Sequence, residues 1–198
     1  MAPVRVDPSR VHEFADWRAF HEWLSINHDA EPEVWIKIHK VGSGRPTITP
    51  KEAIDVALCW GWIDAIRKSH DAESFLQRYT PRGAKSVWSQ INIENVERLT
   101  AAGRMTPHGL RHVETAKADG RWAAAYRVSN AEMPPDLQAA IDENARARAL
   151  FDTLTSQNRF ALIFRTNQMK TEAGRRKKIA DLVAMLARGE TPHPQKRG

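Results

Sequence analysis

Up to Pro81 the sequence reads as strands and helices in turn; after Pro81 it reads as helix throughout. Strands send alternate side chains to opposite faces, whereas helices gather apolar residues at three- and four-residue spacing. The change of period confines any sheet to the first part of the chain. From Glu33 to Val41, Val34, Ile36 and Ile38 face one way and Trp35, Lys37 and His39 the other, the pattern of a half-buried strand. Trp62 to Lys68 and Phe75 to Thr80 read as two more strands about the turn at Ser69–Ala72, with Asp64 sharing a face with Trp62 and Ile66. The expected fold is α+β: a small three-stranded antiparallel sheet packed by helices, followed by a helical C-terminal region.

Helix boundaries are marked by capping chemistry. Asp16 caps a helix to His28 with Trp17, Phe20 and Leu24 at helical spacing. Thr49-Pro50-Lys51-Glu52 combines a cap, a proline at the first helical position and the Glu of a capping box, and Gly61 ends that helix. Further helices run from Ser89 to Ala102, from Thr106-Pro107 to Gly120, from Pro134 to Asn144, from Ala145 to Leu154, from Ser156 to Gln168 and from Thr171 to Arg188. Tyr126 to Pro135 is polar and ends in two prolines, the composition of a linker. The expected organisation is an α+β lobe over 1–130, a helical lobe over 131–190 and a disordered tail over 191–198.

At 198 residues, 41% of them apolar and seven of them Trp, the chain has enough material for a core without staples. The single cysteine, Cys59, excludes an internal disulfide. Neither an apolar run of membrane-spanning length nor a signal-peptide stretch is present, so a cytoplasmic location is expected. The segment from Thr171 onward holds seven Lys or Arg against three acids, and so carries +4 of the chain's +6. That excess belongs to the last helix and tail.

Candidate chemistry concentrates between Ala57 and Thr106. Asp64, Arg78, Arg82 and Arg104 fall among Trp60, Trp62 and Trp88, with Ser86, Ser89 and Asn92 as added donors. A guanidinium matches carboxylate or phosphate with a planar fork. Two readings stand: an anion site formed by Asp64, Arg78, Arg82, Ser86, Trp88, Ser89, Asn92 and Arg104, or a buried Asp–Arg pair that locks the sheet to the next helix. The tryptophans read mostly as core, with Trp88 best placed to line a cavity.

Other constellations are weaker. His108 and His112 stand four apart on one helix, but the residue after His108 is Gly109 rather than the Glu of a zinc-protease motif, so no metal is assigned. Cys59 sits at an apolar helix end and reads as packing. No nucleophile elbow, phosphate loop or dinucleotide glycine pattern is present, and no catalytic residue or cofactor is assigned. Arg175-Arg-Lys-Lys178 spreads around a helix whose apolar face is Ile179, Leu182, Val183 and Leu186. It reads as a charged surface, with weak nucleic-acid contact as the alternative.

The order Ala57-Leu-Cys-Trp-Gly-Trp-Ile-Asp64, Tyr79-Thr-Pro-Arg82, Lys85-Ser-Val-Trp-Ser89, Asn92 and Gly103-Arg-Met-Thr-Pro-His-Gly109 resembles the YdeI/OmpD-associated (bacteriocin-protection, OmdA-type) family. Trp35, Gly120-Arg-Trp122 and Thr171-Glu-Ala-Gly-Arg-Arg176 extend the likeness to roughly residues 15–188. The family's usual aromatic before Gly61 is Phe; here it is Trp60. The resemblance implies a link to envelope stress or antimicrobial tolerance and implies no catalytic residue; with the Arg/Trp/Ser cluster it gives the expectation of a protein that acts by binding a small anionic ligand or a protein partner.

Overall fold

The computed structural model describes residues 4–125 and 132–195. It divides into two compact units, Met1–Ala125 and Tyr126–Gly198. The expected linker at Tyr126–Pro135 falls largely outside the described residues.

The first unit contains a four-stranded mixed sheet and four α-helices: β1 (Val11–His12), α1 (Trp17–Asn27), β2 (Val34–His39), α2 (Pro50–Cys59), β3 (Trp62–Ser69), β4 (Ser74–Pro81), α3 (Gln90–Ala101) and α4 (Pro107–Ala118). The strand order is β1-β2-β4-β3. The antiparallel strands are those expected, with Val34 opposite Tyr79 and Ile38 opposite Phe75. The fourth strand corrects the expectation: β1 adds to β2 in parallel, Val11 opposite Trp35. Two residues are too short to show alternation, so β1 left no periodic trace in the sequence.

Two further corrections concern the faces of the sheet. β2 is buried on both sides rather than half-buried, for Trp35 is as inaccessible as Val34 and Ile36. Its polar companions there are engaged: Lys37 and His39 both meet Glu13, and Lys68 lies over the Trp35 ring. Between Asp64 and Arg67 the β3–β4 register shifts, so that Asp64 stands opposite Tyr79 and Arg67 opposite Gln77. An extra residue in one strand turns later side chains over. Arg67, not Ile66, therefore joins Trp62 and Asp64 on one face, and Ile66 is exposed.

The face bearing Val34, Ile36, Ile38, Trp62 and Tyr79 packs with Phe20 and Leu24 of α1 and Ala53, Val56 and Ala57 of α2. A second cluster joins the end of α2 (Leu58, Cys59) to Trp88, to Val96 and Leu99 of α3 and to Val113 and Ala116 of α4. The caps form as the residue types require. Asp16 accepts from the Arg18 and Ala19 amides, Thr49 and Glu52 complete the reciprocal box, and Ser89 accepts from Asn92.

The second unit, as described, consists of α5 (Pro135–Asp142), α6 (Ala145–Asp152), α7 (Ser156–Asn167) and α8 (Glu172–Ala187). Leu137, Ile141, Phe151, Leu162, Ile179, Leu182 and Leu186 form its core. Residues 191–195, expected as part of a disordered tail, are instead tied to α7. Asn158 donates to the His193 carbonyl and accepts from the His193 amide, and Gln195 accepts from Asn158 and from the Thr155 amide. Residues 196–198 lie outside the described residues.

Candidate functional site

The arginines expected to meet Asp64 part company. Arg78, on β4, pairs with Glu33 at 2.6 Å, and Glu33 also accepts from the Trp35 indole. Arg104 lies over the Trp17 ring at 4.5 Å. Only Arg82 stays with the aromatic frame: it is 4% exposed, stacks on Trp88 at 3.9 Å and donates to the Val87 carbonyl. Asp64 is exposed along its strand, yet partial desolvation raises its carboxyl above the usual range, opposed by the positive charges of Arg82 and Arg67. Asp64 and Arg82 therefore share a neighbourhood that Arg78 and Arg104 do not.

The small polar residues take architectural roles. The Ser86 carbonyl accepts from Arg121 at 2.9 Å. Ser89 caps α3, with Asn92 supplying the capped amide. Trp88 is almost fully buried, packs on Trp122 at 4.9 Å, and its indole N–H has no hydrogen-bond partner among the described residues. Lys117 lies over the Trp122 ring at 5.7 Å. Arg82 and Lys117 thus each lie over one ring of the Trp88–Trp122 pair, and both cation contacts are favoured by the ring's negative face.

The resemblance-bearing residues find their meaning at one joint. Helix α2 ends at the Cys59 carbonyl, and α4 begins against it. Thr106 donates its hydroxyl to Cys59 O at 2.5 Å and accepts the Gly109 amide at 3.1 Å, so one side chain caps both helix ends. A Cβ at Gly109 would stand 2.2 Å from Cys59 O, so only glycine permits this approach. Gly61 is doubly constrained: its φ is +67°, and a Cβ there would strike the His112 ring at 2.3 Å. Burial pushes the Cys59 thiol up to about 11, which fits packing rather than nucleophilic chemistry. A buried carboxylate missing from the sequence reading, Asp55 of α2, is held by Arg98 of α3 at 2.6 Å. Its only sequence trace is an acid within an otherwise apolar helix face.

The joint sets His108 of α4 against the end of α1, with His112 packed on His108 at 5.4 Å. His28 closes α1, its ring packing on Trp60 at 4.7 Å and on His108 at 4.5 Å. His21 accepts from the Trp60 indole at 3.1 Å, a bond that phenylalanine at this position could not make. Asp29 reaches both neighbours, 3.2 Å from His28 Nε2 and 3.6 Å from His108 Nδ1. Burial and the neighbouring His28 hold His108 below the ordinary histidine range. Burial does the same to His112, followed by His108, Arg82, Arg111 and Arg121. The i, i+4 spacing of His108 and His112 was legible in the sequence; the arrival of His28, Asp29 and His21 was not, because α1 and α4 are distant in sequence.

Other features serve an anion less well. A cavity of about 350 Å³ in the first unit, lined in part by Arg10, His12 and Trp23, also carries Asp7, Glu31 and Glu33. Within the run 175–178, Arg175 pairs with Asp136 and Arg176 with Glu172, which takes two cations away from any nucleic-acid track. No helix among the described residues is long and apolar enough to cross a membrane.

No curated protein and no solved structure matches the chain. Two family models do. Residues 130–189 match the family described as Bacteriocin-protection, YdeI or OmpD-Associated, which supports the resemblance for the C-terminal part. The block from Ala57 to Gly109, which suggested that resemblance, lies instead in a match to a separate family. Because that match spans residues 12–112, just over half of the chain, the protein belongs to the family described as Domain of unknown function (DUF8412).

Proposed function

We propose that the first unit binds a small anionic ligand over the face of α4 around His112. What supports this reading is that Arg82, Arg111 and Arg121 all lie near enough to the half-buried His112 for their charges to add to burial and His108 in holding its imidazole below the ordinary range. Arg82 supplies positive charge from a buried position, where low dielectric strengthens its field. Arg111 is exposed and able to close on a ligand. Arg121 is held in place by Asp119 and the Ser86 carbonyl, an arrangement that orients its fork. A role in tolerance of bacteriocins or related antimicrobial stress is supported by the description of the family matched by residues 130–189.

The test is thermal unfolding in metal-free buffer with pyrophosphate or citrate, against chloride at equal ionic strength. A ligand specific to the folded state raises the midpoint with the logarithm of its concentration. That rise is expected for the native chain and is expected to vanish in Arg111→Ala and Arg121→Ala. Equal midpoints in all salts would remove the anion site.

A further inference from the structure

We infer that the corner between the end of α1 and the start of α4 binds one divalent transition-metal ion, zinc being the best chemical match, through His28, Asp29 and His108. The site lies beside the proposed anion face but stands on different observations. One ligand atom from each of these three side chains lies within 4.8 Å of the other two. Zinc bonds to nitrogen and carboxylate oxygen are about 2.0–2.2 Å long, so neighbouring ligands of a tetrahedral ion stand roughly 3.3–3.6 Å apart. Asp29 Oδ2 lies 3.2 Å from His28 Nε2 and its other oxygen, Oδ1, lies 3.6 Å from His108 Nδ1, separations close to that edge length, so the carboxylate faces both rings.

The hydrogen bonding around His28 strengthens the case. Its Nδ1 lies 2.9 Å from the Leu24 carbonyl, which can only accept, so Nδ1 carries the hydrogen. This is the outer-sphere arrangement that fixes the tautomer of metal-binding histidines. In the neutral ring Nε2 then offers a lone pair, and it faces the Asp29 carboxylate. Either a proton or a metal ion between them satisfies both atoms, and only the ion also draws in His108. His28 is also fixed as a whole, since its carbonyl accepts from the Trp62 indole and its ring packs on Trp60. The aspartate is the adaptable member: its side chain is 74% exposed, against 18% and 16% for His28 and His108.

Arg111 is the competitor, standing 2.7 Å from His108 Nδ1. It is exposed, and it swings out when the ion enters. Three protein ligands leave a fourth position open, and an anion drawn to the α4 face could fill it.

The experiment uses the tag-free full chain, stripped on a chelating resin. Zinc chloride is titrated by calorimetry, and cobalt chloride is followed by the visible bands of tetrahedral Co²⁺. One ion per chain is expected, with binding abolished in His108→Ala and weakened about ten-fold or more in Asp29→Asn, at least the loss typical of an outer-sphere partner. The exposed Asp29→Asn keeps the test valid if His108→Ala fails to fold, which circular dichroism of the metal-free proteins reveals. Absence of saturable binding, or binding unchanged in the folded variants, overturns the proposal. Because the anion measurement is made without metal, either reading can fail while the other stands.

Discussion

The two units solve the problem of burying a chain in opposite ways. In the second, the core of α5–α8 is aliphatic and aromatic, and the ion pairs lie outside it: Arg148 with Asp142 and Asp152, Arg175 with Asp136, Arg188 with Glu190. Its buried polar side chains tie down backbone, Thr166 to the Leu162 carbonyl and Asn158 to the His193 carbonyl. In the first unit, charge goes inside. Asp55 is buried beneath Arg98, and Arg82 is buried against Trp88. Buried charges stabilise only when paired and well oriented, and they cost stability when a partner is removed. A unit that needed only a stable core could have been built like α5–α8. The first unit keeps its polar interior where helix ends, indoles and imidazoles meet, which is where the candidate chemistry lies.

The contrast breaks or sharpens first at the joint between α2 and α4. Gly109→Ala puts a methyl group 2.2 Å from the Cys59 carbonyl oxygen, a backbone atom that cannot turn aside. The expected loss is about 3 kcal/mol, the upper range for overpacking, read as a fall in the denaturant midpoint at unchanged slope. A loss under about 1 kcal/mol would mean that the joint yields easily, and the claim that glycine is required there would fall. Trp60→Phe is milder. It keeps an aromatic ring but removes the indole N–H that His21 accepts at 3.1 Å. A cost of about 1 kcal/mol, the worth of one net hydrogen bond, is expected. An unchanged midpoint would show that the Trp60–His21 contact carries no energy.

What the sequence disclosed follows from how local each feature is. The caps at Asp16, Thr49, Ser89 and Thr106 act within one helical turn, and all four form. The antiparallel arrangement was legible because aliphatic residues recur at every second position of β2, at Val34, Ile36 and Ile38. The bulge after Asp64 was not, since an inserted residue leaves the alternating pattern ambiguous until a register partner is known. The arginines illustrate the same limit. Arg78, Arg82 and Arg104 carry the same charge in one stretch of sequence. They differ only in what lies opposite: Glu33, Trp88 and Trp17. Those partners come from other elements, and no spacing rule names them. His28 and Asp29 are hidden for the same reason, being ordinary residues at the end of α1 until α4 brings His108 to them.

The smallest expected effect tests the second unit. Arg175 donates to both oxygens of Asp136, at 2.6 and 2.8 Å, and to the Thr166 carbonyl at 3.3 Å. Its hydrogen bonds hold the Asp136 carboxyl below the usual range. A depressed carboxylate contributes stability above its unfolded pKa and loses it as pH falls through the lower, folded value. The Asp136 side chain is 46% exposed, so solvent screens much of that contribution. Arg175→Met is therefore expected to cost only about 0.5 kcal/mol at neutral pH, within the range for exposed pairs. The difference from the native chain should shrink in high salt and close as the pH falls below about 3.9, the ordinary aspartate value. A loss above about 2 kcal/mol, beyond what exposed pairs supply, or a difference that persists in acid, would give this surface pair the weight of a buried one. The two units would then no longer differ in where they place their electrostatic energy.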